Sequence, residues 1–163
     1  MDIHATVTNP GAGGAETPNP DPAHVAVWIA LNRARLSLVR QVDRALRSKG
    51  LPPLTWYDVL WSIEKRGGTA RPTEIVDDLL FEPSALSHMI RRIETAGLLR
   101  VSQAKDDKRR RVLQITPEGQ QARSAIWQIY GAFLTEQLVP LGQLADANAV
   151  AQALEAISVP QKD

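Results

Sequence analysis

The chain has 163 residues, 44% of them apolar and 23% charged, which suits one soluble domain with a real core, or one domain and an appendage. It has no cysteine and only three scattered histidines, His4, His24 and His88. Disulfides and thiolate chemistry are therefore excluded, a histidine metal site has little to work with, and no metal or other cofactor is expected. No apolar run reaches the roughly 18–20 residues of a membrane helix, and no secretory leader pattern opens the chain, so no membrane partner and a cytoplasmic setting are expected.

Residues 1–22 hold Pro10, Pro18, Pro20 and Pro22, with Gly11, Gly13 and Gly14. Too little apolar surface is present to offset ordering entropy, so a disordered tail is expected, with the folded part over about 23–158. A helix is predicted from Ala23 to about Ser48, with Trp28, Leu31, Leu38, Val42 and Leu46 near one stripe and Gly50 after its end. Thr55 is the expected N-cap of a second helix, which carries Tyr57, Val59, Leu60 and Ile63 and stops at Gly67-Gly68. A short third helix is expected over Pro72–Leu80.

The fourth helix, about Ser84–Ala96, places Leu86, Met89, Ile90 and Ile93 at helical spacing. Its other face carries Ser84, Ser87, His88, Arg91, Arg92 and Thr95. Ser84 suits either an N-cap or a contact outward. For His88 a plain surface role is the alternative to a base or phosphate contact. One of Arg91 and Arg92 could pair locally with Glu94. Segments 98–103 and 110–116, joined by the polar loop 104–109, read as a β-hairpin. Pro117-Glu118 then opens a long helix to about Val139. Pro140 and Gly142 are expected to interrupt it before a last helix at about 144–157.

Net charge is only +1, yet its distribution is uneven. Between Arg91 and Arg111 eight cations stand against Glu94, Asp106 and Asp107, a net of +5, so the remainder carries −4. A concentrated basic stripe suits a polyanion, although a solvated loop is the ordinary alternative. Two short helices followed by a basic hairpin describe a winged helix-turn-helix. The fold class expected is mostly α, with a small β-hairpin wing and terminal helices for dimerisation.

The chemistry fits that geometry. A helix of about 12 residues is roughly 18 Å long and fits the major groove of B-DNA. Its inner face must be apolar, and its outer face must offer hydroxyls and cations. A narrow cationic hairpin tip (Lys105, Lys108, Arg109, Arg110) suits flanking phosphates or a minor groove. The stripes at 28–46 and 122–138 exceed what a small winged-helix core covers, which points to a homodimer; a larger intramolecular helical layer is the alternative. Tryptophans at 28, 56, 61 and 127 are either core or the wall of a ligand pocket, with Trp56, Tyr57 and Trp61 the candidates for the wall. A winged-helix protein–protein or scaffold module is the competing reading. No nucleophile–base set, phosphate loop or metal-spaced cluster marks an enzyme.

The stretch Leu54–Gly119 resembles the MarR family of winged-helix transcriptional regulators. The matching pieces are Trp56-Tyr57-Asp58-Val59-Leu60, Thr73-Glu74-Ile75, Ser84-Ala85-Leu86-Ser87, Ile93-Glu94-Thr95-Ala96-Gly97-Leu98-Leu99, Asp107-Lys108-Arg109 and Ile115-Thr116-Pro117-Glu118-Gly119. The likeness implies a DNA-binding lobe at about 54–117 and dimerisation helices at about 23–48 and 118–157. It implies a homodimer on palindromic double-stranded DNA, and repression relieved by a small-molecule effector, here expected to be aromatic or carboxylate-bearing. It places the family's aspartate-any-arginine wing motif on Asp107 and Arg109, where the aspartate braces the wing, and leaves Lys108 and Arg110 for DNA. Lys108 departs from the more usual arginine and lacks its planar, bidentate grip. First-helix arginines that meet an anionic effector would be Arg33 and Arg35.

Overall fold

The computed structural model describes residues 19–79, 81–103 and 110–158. The expected tail to residue 18, Leu80 and the hairpin tip lie outside them. The chain divides into two compact units, the first ending at Leu36 and the second starting at Ser37. The elements run α1 (Pro22–Ser48), α2 (Leu54–Glu64), β1 (Thr69–Ala70), α3 (Pro72–Leu79), α4 (Pro83–Thr95), β2 (Leu99–Gln103), β3 (Arg111–Ile115), α5 (Pro117–Leu144) and α6 (Ala147–Ser158).

In the first unit α1 opens where Pro22 supplies a helical φ without an N–H to satisfy. The Asp21 carboxylate accepts from the Ala23 N–H at 2.8 Å. Trp28, on the expected apolar stripe, is 68% exposed, and Val25, Val27, Ile29 and Leu36 are exposed with it.

In the second unit two apolar clusters form. The first joins Val59, Leu60 and Ile63 of α2 to Ile75, to Leu86, Ile90 and Ile93 of α4, and to Leu99, Leu113 and Ile115 of the sheet. The second joins Val42 and Leu46 to Leu54, Tyr57 and Ile126. The sheet is three-stranded and antiparallel in the order β1-β3-β2, with Leu99 opposite Ile115 and Gln103 opposite Arg111. Strand β1, pairing Thr69 with Gln114 and Ala70 with Leu113, escaped the sequence reading because two residues carry no period.

Three boundaries differ from expectation. Thr55 does not cap α2; Pro53 holds that position in extended backbone, and the Asp43 carboxylate accepts from the Leu54 N–H at 2.8 Å. Pro140 and Gly142 do not interrupt α5, which runs on to Leu144. A proline costs a helix one N–H bond and a steric clash, yet Pro140 lies within α5. Ser84 is treated below.

Two of the glycines shape the surroundings of α4 and the wing. Gly97 turns the chain out of α4 at φ +75°, in the left-handed region. At Gly119 a Cβ would lie 2.1 Å from the Leu98 carbonyl oxygen, so only glycine lets the start of α5 pass the wing. The same joint is fixed by the Thr116 hydroxyl, which donates to the Gly97 carbonyl at 2.8 Å and accepts from the Gly119 N–H at 3.0 Å.

Candidate nucleic-acid interface

Helix α4 is two-faced. Leu86, Ile90 and Ile93 are no more than 1% exposed and seat it on the core. Ser84, His88, Arg91, Arg92 and Thr95 are exposed, and Ser87 is half-buried. Ser84 is not the N-cap. Glu82 occupies that position and Pro83 is the first helical residue. Proline suits N1 because its missing N–H would be unsatisfied there anyway, so the helix begins one residue early. Ser84 thereby stands inside the first turn, its hydroxyl released from capping.

Two hydroxyls are oriented by their own helix. Ser87 Oγ donates to the Pro83 carbonyl at 2.9 Å, and Thr95 Oγ1 donates to the Arg91 carbonyl at 2.8 Å. With its proton so engaged, each hydroxyl offers lone pairs, suited to a base amino group rather than a phosphate.

At the end of α4 the two expected options for the arginines resolve differently. Glu94 turns to the wing, its carboxylate accepting from the Val101 N–H at 3.1 Å. Arg92 instead lays its guanidinium over the Trp56 ring, 5.8 Å from the centroid. Trp56, Arg91, Arg92, Thr95 and Ala96 line one shallow groove.

Of the wing, β2 and β3 are described, while Lys105, Asp107, Lys108 and Arg109, with the expected Asp107–Arg109 brace, lie outside the described residues. Arg110 is exposed at the foot of β3. It lines a second groove with Arg71, Pro72, Thr73 and Arg111. Arg71 and Arg111 are additions to the candidates legible in the sequence. The legible signal was Arg71-Pro72-Thr73-Glu74, since a glutamate at the third helical position reaches back to the residue before the helix. Glu74 accepts from the Arg71 N–H at 2.6 Å and from its guanidinium at 3.0 Å. Those bonds hold the Glu74 carboxyl below its usual range, the backbone N–H contributing most.

The expected ligand residues separate. Tyr57 is 6% exposed, stacked on Trp127 at 5.9 Å and edge-on to Tyr130 at 5.6 Å. Trp61 is half-exposed beneath Arg123, whose guanidinium sits 5.5 Å from the ring centroid and pairs with Glu64. Arg33 and Arg35 are exposed on the first unit. Beside the aromatic cluster, burial and the negative charge of Asp43 push the Asp58 carboxyl up to about 6. At the α2–α3 turn the reverse holds. Asp78 pairs with Arg66 and with Lys65, accepts from the buried Ser62 hydroxyl at 2.6 Å, and is held well below the usual carboxylate range, chiefly by Arg66.

Among the described residues no three acidic or histidine side chains could hold a metal, and no helix is long and apolar enough to cross a membrane.

Comparison with known proteins points one way. Residues 53–110 match the model of the MarR family. The chain is 31% identical over 106 residues to the HTH-type transcriptional regulator PecS of Dickeya dadantii, covering 64% of this chain and 63% of PecS, so it spans less than two thirds of that relative. The fold is similar to that of AbsC, a MarR family transcriptional regulator from Streptomyces coelicolor, with a TM-score of 0.73 and 20% identity over 87% of this chain and 94% of AbsC. It is also similar to a mutant of MarR from E. coli complexed with operator DNA, with a TM-score of 0.70 and 20% identity over 85% of this chain and 96% of that one.

Proposed function

We propose that the chain, of which residues 53–110 match the MarR family model, is a homodimeric, sequence-specific DNA-binding transcriptional regulator. The carrying observation is the exposed face of α4, where Ser84, Ser87, His88, Arg91 and Arg92 stand opposite a fully buried apolar seat. On this reading α4 enters the major groove. Lys105, Lys108, Arg109 and Arg110 of the wing meet flanking phosphates, and Asp107 with Arg109 braces the wing. The E. coli MarR structure holds operator DNA, which supports a duplex as the partner here.

Exposed apolar residues of the terminal helices support a homodimer. In the first unit these include Trp28 and Val27; in the second, Leu138, Val139, Leu141 and Ile157. The proposed division is a DNA-binding lobe over about 54–117 and dimerisation helices at about 23–48 and 118–157. A repressor released by an aromatic or carboxylate effector is the regulatory form. Arg33 and Arg35 of the first unit are proposed contacts taken by themselves; in the second unit the candidates are Tyr57 and Trp61, and Trp56 in the groove it shares with Arg91 and Arg92.

In vitro selection of duplexes from a random pool by the full chain tests the reading. Enrichment of an inverted repeat with half-sites about 10 base pairs apart is expected. A pool that stays random would favour a protein-interaction or scaffold role. A thermal-shift screen with aromatic acids addresses the effector: a compound that raises the melting temperature and weakens duplex binding is expected.

A further inference from the structure

Trp56 belongs to α2 and packs against the core of the second unit. That core holds its neighbours Val59, Leu60 and Ile63 fully buried, so the ring is fixed by the fold. Arg92, by contrast, is an exposed side chain with many rotamers. Capturing a phosphate with such a side chain requires freezing it. A guanidinium held over an indole loses part of that freedom beforehand, while N–H bonds that point away from the ring stay available to an anion. Arg91 lines the same groove, so the groove presents two cations beside one rigid ring.

From this we infer that Trp56 is a positioning residue for DNA binding: its ring holds the Arg92 guanidinium ready for a backbone phosphate at the C-terminal end of α4. The inference rests on the reading of α4 as a DNA-binding helix. It gives an apolar residue of a supporting helix a part in affinity without any contact to the duplex.

A double-mutant cycle tests it, using a labelled duplex recovered by the selection described above and the full chain. Trp56→Leu keeps apolar bulk and removes the ring face. It should weaken binding about two- to fivefold, the range of an exposed cation–π contact, and leave the salt slope unchanged because the cation is still present. Arg92→Gln should weaken binding and lower the slope by about one. In the Arg92→Gln background Trp56→Leu should have no further effect. Trp56→Phe should retain most of the affinity, which covers the case in which the leucine variant fails to fold. Arg92→Lys should keep the slope and lose affinity only where Trp56 is present.

Equal losses from Trp56→Leu with and without Arg92 would overturn the inference, as would wild-type affinity in Trp56→Leu. A wild-type chain that binds every duplex alike would instead remove the DNA-binding reading, and this inference with it.

Discussion

Asp58 and Asp78 show how single carboxyls set opposite responses to pH. The folded value of Asp58 is raised to about 6, first by burial and then by Asp43. The fold thus favours its protonated form. Its contribution is fully present below the unfolded carboxylate value of about 4 and is lost as pH rises through about 6. Asp58→Asn should remove that loss and stabilise the protein above pH 6 by about 1 kcal/mol, after allowing for partial exposure. Denaturant melts between pH 4 and 8 check this, and a variant with unchanged pH dependence would contradict it. Asp78 acts the other way. Held low by Arg66, it contributes above about pH 4, and its contribution fades as pH falls below that. Asp78→Asn should therefore destabilise at neutral pH and leave a smaller acid-induced loss. Neither shift was legible in the sequence, because each depends on groups 12 to 16 residues away that only the packing of α1–α2 and α2–α3 brings together.

At the scale of elements, α4 depends on its buried side. Ile90 is 1% exposed within the main cluster, and Ile90→Ala should cost about 2–5 kcal/mol by the usual core-cavity range, read from chemical denaturation. The joint between wing and α5 has a separate dependence. Gly119→Ala drives a methyl into the Leu98 carbonyl and should cost about 1–3 kcal/mol or more. A melting curve like that of the wild type would show that the wing root can move aside.

Helix α4 was legible because Leu86, Met89, Ile90 and Ile93 repeat at a helical period, and the hairpin because two short strands flank a polar loop. Serine favours a cap, so an N-cap was one of two roles open to Ser84; with Pro83 at N1 the cap falls on Glu82 instead. Strand β1 was too short to show a pattern. The contact of the Arg92 guanidinium with the Trp56 ring joins residues 36 positions apart, and neither residue alone signals the other.

For the whole molecule, near-zero net charge conceals a division of labour. Positive charge is gathered on α4 and the wing, and apolar surface is exposed on the terminal helices. Such apolar exposure is expected to be covered by a second copy. Trp28→Glu should then shift the sedimentation of the full chain toward the monomer and weaken binding to an inverted repeat far more than to a half-site.

Whether the exposed face of α4 grips a duplex is read from the salt dependence of binding to a selected duplex, for the wild type and Arg91→Ala. Specific binding at least about a thousandfold tighter than to a scrambled duplex is expected, with a slope of log affinity against log salt that falls by about one in the variant. Equal affinity for both duplexes, or a slope untouched by the loss of Arg91, would contradict that grip.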